Sequence, residues 1–118
     1  MRGEVRMHTI EFSNGNDSVY VVIESATRER LTLKIEESWI VTSVTAYLSF
    51  AEAFSEAFHA LQGTATLRDI DGNEVIDVIF SHRGVRIVLH DPLPEKTLQT
   101  DQSYMTEPMR QIGIWNRL

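Results

Sequence analysis

Ser49-Phe50-Ala51-Glu52-Ala53-Phe54-Ser55-Glu56-Ala57-Phe58-His59-Ala60-Leu61-Gln62-Gly63 is the stretch on which the fold turns. Ser49 and Glu52 stand at the spacing of a capping box, in which the hydroxyl accepts from the amide three residues on and the carboxylate reaches back. Such a pairing contributes about 1 kcal/mol. At about 3.6 residues per turn, Phe50, Phe54, Ala57 and Leu61 share one stripe, flanked by Ala53 and Phe58, while Glu52, Ser55, Glu56 and His59 lie opposite. The spacing predicts one amphipathic helix over about 50–62, with its phenylalanines turned inward and Gly63 taking the left-handed position past its end.

Upstream, the pattern changes to period two. Met7 to Ser13 puts Ile10 and Phe12 on one side, Asn14-Gly15-Asn16-Asp17 supplies turn chemistry, and Ser18 to Glu24 returns with Val19, Val21 and Ile23 together. Arg30 to Glu36 alternates polar and apolar without a fault, which marks a strand with one wet face. Trp39 to Tyr47, β-branched and aromatic, reads as its neighbour. Downstream, Thr64 to Ile70, Glu74 to Phe80 and Val85 to His90 form a meander through the turns Asp71-Gly72-Asn73 and Ser81-His82-Arg83-Gly84. The expected fold is α+β: an antiparallel sheet of about seven strands, order βββ-β-α-βββ, with the helix on one face.

All three prolines, Pro92, Pro94 and Pro108, follow His90, and Asp91 to Ser103 is polar and non-periodic. The expected organisation is a domain over 1–90 and a linker and tail over 91–118. The tail carries Tyr104, Met105, Met109, Ile112, Ile114 and Trp115, suited to docking back or to joining another chain as a homodimer.

Composition narrows the function. Apolar residues at 42% and charged residues at 24% are those of a folded globular chain rather than a disordered one. The absence of cysteine excludes disulfides, thiolate nucleophiles and cysteine-based metal sites. With no apolar leader after Met1-Arg2-Gly3-Glu4-Val5-Arg6 and no long apolar run, the expected location is cytoplasmic, away from membranes. A net charge of −6, acidic in both halves, disfavours direct contact with nucleic acid and suits a basic protein partner.

Chemistry-bearing motifs are scarce. Asp69-Ile70-Asp71-Gly72-Asn73-Glu74 superficially resembles a calcium loop, but counting from Asp69 its sixth and twelfth places hold Glu74 and Phe80 instead of Gly and Glu. His8, His59, His82 and His90 form no local ligand pair, and neither a nucleophile elbow nor a phosphate-cradling glycine loop is present. No catalytic residue, metal or cofactor is therefore expected. Asp77 has two readings: it is wet if Ile76, Val78 and Phe80 face inward, and needs Arg68 or Arg86 if Val75 and Ile79 do.

The Trp39 strand, the helix Phe50 to Gln62, the Leu61-x-Gly63-x-Ala65-x-Leu67 exit, the Asp71-Gly72 turn and the Gly84-Val85-Arg86-Ile87 hairpin together resemble the WapI-like bacterial immunity proteins over about Leu31 to Leu89. That resemblance implies a cytoplasmic protein that neutralises a toxin by binding it, without catalysis.

The expected function is accordingly a non-enzymatic protein-binding inhibitor, most simply an immunity-type protein that neutralises a toxin or nuclease through an acidic surface. Its expected contacts are Glu36, Glu37, Asp69, Asp71 and Glu74, joined by Tyr104 and Trp115 of the tail. Three alternatives stand beside it. One is a phage-encoded inhibitor of a bacterial defence complex, anti-CRISPR-like and acting by nucleic-acid mimicry. Another is a small-ligand-binding domain with a pocket lined by Phe50, Phe54, Phe58 and Trp39. The last is an oligomeric subunit built around the tail.

Overall fold

Period-two alternation recurs on both sides of the helical stretch, and the strands lie where it is cleanest. The structure, a computed structural model, describes residues 8–114. Four strands pair antiparallel in sequence order as a first sheet: β1 (His8–Ser13), β2 (Ser18–Ala26), β3 (Arg30–Ile35) and β4 (Ser38–Ser43). Helix α1 (Val44–Ala60) follows. A second antiparallel sheet contains β5 (Gly63–Arg68), β6 (Glu74–Ser81), β7 (Gly84–Leu89) and β8 (Lys96–Thr100), again in sequence order. A 3-10 turn (Gln102–Tyr104) leads to helix α2 (Thr106–Ile114).

The α+β class stands, with three corrections. The strands form two sheets rather than one, because α1 carries the chain from β4 to the start of a separate meander. There are eight strands and two helices among the described residues. The additional strand, β8, lies where a linker was expected, since Leu98 and Thr100 alternate inward with Thr97 and Gln99 outward, too short a pattern to stand out among polar residues.

Helix α1 starts six residues before the position its capping box indicates. Ser43, extended at φ −82 and ψ 155, accepts from the Ala46 amide at 2.9 Å and caps the helix. Ser49 is an exposed residue inside it, and Trp39 to Tyr47 is a strand only as far as Ser43. Without a Glu at Ala46 the true start lacks a capping box, and Val41-Thr42-Ser43-Val44-Thr45 has strand-like composition, which explains the displaced boundary. The buried stripe runs through Tyr47, Phe50, Ala51, Phe54 and Ala57. At the far end Leu61 (φ 61) is the left-handed cap, its side chain exposed instead of completing the stripe, and Gly63 also takes a positive φ (124) where it opens β5.

The inner faces of both sheets and the buried side of α1 share one apolar core. Phe54 joins the layers, its ring 6.1 Å from that of Phe12 on β1 and 5.5 Å, edge to face, from that of Phe80 on β6. Beyond His90, Leu93, Leu98, Met105 and Ile112 are buried in the same core.

Edge strands expose unpaired backbone groups, and two of these edges are covered. Helix α2 lies over β1, where the Glu11 amide donates to Gln111 Oε1 at 3.0 Å and His8 Nε2 meets the Gln111 carbonyl at 2.6 Å. The β4 edge is met by the β5–β6 turn, the Ile70 amide donating to the Val41 carbonyl at 2.7 Å.

Candidate functional site

The first sheet has an outer face that no other described element covers. Its inner face takes Ile10, Phe12, Val19, Val21, Ile23, Leu31, Leu33, Ile35 and Ile40. Strict alternation then turns Thr9, Tyr20, Val22, Lys34, Trp39 and Val41 outward. Register places Thr9, Val22, Lys34 and Trp39 side by side across the four strands. Trp39 is 59% exposed and Tyr20 48%, unusual for rings of that size on a small domain. Trp39 thus lies on the surface rather than in a pocket wall.

Charge on this face is unevenly distributed. Lys34 Nζ stands 5.8 Å from the centre of the Trp39 ring, within cation–π range. Tyr20 donates its hydroxyl to Glu11 Oε2 at 3.3 Å, an oxygen shared with the Ser18 hydroxyl at 3.0 Å. A groove of about 390 Å³ runs between Tyr20, Val22 and Lys34, bounded by Thr9 and by the carboxylates of Glu24, Glu36 and Glu37. Glu36 occupies a left-handed position (φ 55) in the two-residue β3–β4 turn, and Lys96 Nζ of β8 reaches it at 3.5 Å and Asp17 at 3.6 Å. Among the described residues Glu24 and Glu37 meet no hydrogen-bond donor and no cation.

The acidic residues expected to form one contact surface fall into two groups. Glu36 and Glu37 adjoin the groove, whereas Asp69 and Asp71 belong to the β5–β6 turn and Glu74 opens β6 beside it. That turn meets β4 at Val41, four residues from Glu37, or about 13 Å along an extended chain. Within it Asp69 Oδ1 accepts from the amides of Asp71 and Asn73 at 3.0 and 2.9 Å, and Oδ2 from the Asn73 side chain at 3.2 Å. Desolvation pushes the Asp69 carboxyl up, but the hydrogen bonds from Asn73, Asp71 and Gly72 outweigh it and hold the group below its ordinary value. Glu74 pairs with Arg68 at 3.2 Å. Tyr104 sits on the 3-10 turn, half-exposed, its hydroxyl 2.7 Å from where a Cβ on Gly15 would lie. Trp115 lies outside the described residues.

Asp77 takes neither arginine as its partner. Ile76, Val78 and Phe80 face the core, so Asp77 lies on the outer face of the second sheet, its side chain 18% exposed. Thr66 donates its hydroxyl to Oδ1 at 2.6 Å and His90 Nε2 meets Oδ2 at 2.9 Å. The carboxylate stands between hydroxyl and imidazole, so the histidine has no contact through which to activate the threonine as a nucleophile.

Metal and pocket chemistry gain little. No group of three or more His, Asp or Glu side chains is placed to hold a metal ion among the described residues. Phe50 and Phe54 are sealed in the core while Trp39 points away from it, so the aromatic quartet proposed for a ligand pocket shares no wall. A hollow of about 600 Å³ lies between Leu61, Gln62, Gly63, Phe80, Ser81, His82 and Gln102, away from the aromatic quartet. No helix of the described residues is long and apolar enough to cross a membrane.

Tyr20, Glu24 and Lys34 escaped the sequence reading, and Trp39 was placed wrongly. A signal was present for each. A two-residue turn at Glu36-Glu37 pairs Ile35 with Ser38 and hence Lys34 with Trp39, which puts the indole on the wet face of β3. Compared with known proteins, the chain matches no protein-family model, no curated protein and no solved structure.

Proposed function

We propose that this chain is a non-enzymatic inhibitor that binds a basic protein, in the manner of an immunity protein neutralising a toxin or nuclease inside the cytoplasm. The observation that carries the reading is the open outer face of the first sheet, where Trp39 and Tyr20 stand exposed beside a groove bounded by three carboxylates. Interface hot spots are enriched in Trp, Tyr and Arg, and an apolar centre with a charged rim is their usual setting. The net charge of −6 supports a basic partner and electrostatic steering of its approach.

Neutralisation is read in a growth assay. Products of the neighbouring genes are expressed alone and together with this chain, and the chain is expected to rescue growth from one of them. Rescue is expected to fail with Trp39→Ala combined with Tyr20→Ala, and association is expected to weaken as salt rises. Rescue that persists in the double variant, or association indifferent to ionic strength, contradicts the reading.

A further inference from the structure

We propose that the groove on the first sheet receives an arginine side chain of the partner, the guanidinium lying against Tyr20 and pairing with Glu24 and Glu37; this rests on the protein-binding reading above. Three features converge on that occupant. The groove lining holds three carboxylates against one ammonium, so it favours a cation. Of those carboxylates, Glu36 is engaged by Lys96, while Glu24 and Glu37 meet no donor or cation among the described residues, and both are acceptors for a planar fork. The single ammonium, Lys34, lies within cation–π range of the Trp39 ring, so this face already sets one cation against an aromatic ring.

Arginine suits this site better than lysine. Its planar group stacks on a ring while its five donors reach two carboxylates at once, and it sheds water more easily than an ammonium. Its aliphatic stem has Val22 to lie on. A second copy of the chain is a poor occupant, because it would set Glu24, Glu36 and Glu37 of one copy against like charges of the other.

The test uses the full chain, labelled with nitrogen-15, and the peptide acetyl-Gly-Arg-Gly-Arg-Gly-amide. Saturable amide shifts are expected at Thr9, Tyr20, Val22 and Glu37, with affinity about fivefold weaker in Glu24→Gln combined with Glu37→Gln. The citrulline version of the peptide, isosteric but uncharged, is expected to produce no such shifts. Shifts centred on the Asp69–Asn73 turn or spread evenly over the acidic surface overturn the proposal, as does a lysine peptide that binds equally tightly. The map of the unaltered chain decides the matter even if the double variant misfolds. Growth rescue that requires Trp39 and Tyr20 alongside a negative peptide map removes the arginine assignment alone; a positive map without rescue removes the inhibitor reading instead.

Discussion

Two aromatic residues, Phe12 near the end of β1 and Trp39 near the start of β4, show how alternation decides fate. Phe12 and Trp39 both lie in strands, yet one ring is sealed in the core and the other is largely in water. Removing Phe54, which links Phe12 to Phe80, strips contacts from both sheets and leaves a cavity, so Phe54→Ala is expected to destabilise by about 3–5 kcal/mol. Trp39→Ala removes a ring that is 59% exposed in the fold and is expected to change stability by under ~1 kcal/mol. Urea unfolding of the two variants checks the contrast, and similar losses would place the indole in the core after all. At Asp69 the sign follows from a carboxyl held below its ordinary value. The stabilisation is complete above the unfolded aspartate value, about 3.9, and disappears as pH falls through the lower folded one. The stability gap between the native chain and Asp69→Ala is therefore expected to be widest near neutral pH and to shrink in acid, as thermal melts over that range would report.

Helix α1 offers two serines at which its start can be distinguished. Ser43 accepts from Ala46 and caps the helix, whereas Ser49 is exposed within it. Ser43→Ala is expected to destabilise by about 1 kcal/mol, while Ser49→Ala, which replaces a poorer helix former with the best one, is expected to be neutral or slightly stabilising. Equal effects, or the reverse order, would return the helix start to the Ser49-Glu52 pair. The same element shows what could be read in advance. The Phe50, Phe54 and Ala57 stripe was legible because a period near 3.6 over several turns has few competing explanations. The first turn was not, because Val44 and Thr45 carry strand propensity, and it is held helical by the Ser43 cap together with the burial of Tyr47. β8 escaped for a related reason: five residues with two buried positions are too few to distinguish from a polar loop, and it is pairing with β7 that orders them.

For the whole molecule, division into two sheets around one core separates duties. The inner faces hold the fold, and the outer face of the first sheet is left to carry Trp39, Tyr20 and the groove. β8 ties the two sheets together at their ends through Lys96, Asn14 and Thr100, the Thr100 hydroxyl donating to the Ser13 carbonyl at 2.8 Å and the Asn14 side chain to the Gln99 carbonyl at 3.1 Å. The site was partly legible. Glu36 and Glu37 were singled out from charge and turn position alone, and they border the groove. Its aromatic half was hidden because exposure of Trp39 depends on strand register, and a tryptophan among β-branched residues reads first as core.

The most direct measurement is the calorimetric dissociation constant of the complex between this chain and the gene product from which it is proposed to rescue growth. With unchanged thermal stability, Trp39→Ala combined with Tyr20→Ala is predicted to weaken binding by at least about 30-fold, the equivalent of one strong hot spot. Affinity equal to that of the native chain would contradict the assignment of the first sheet's outer face as the binding surface.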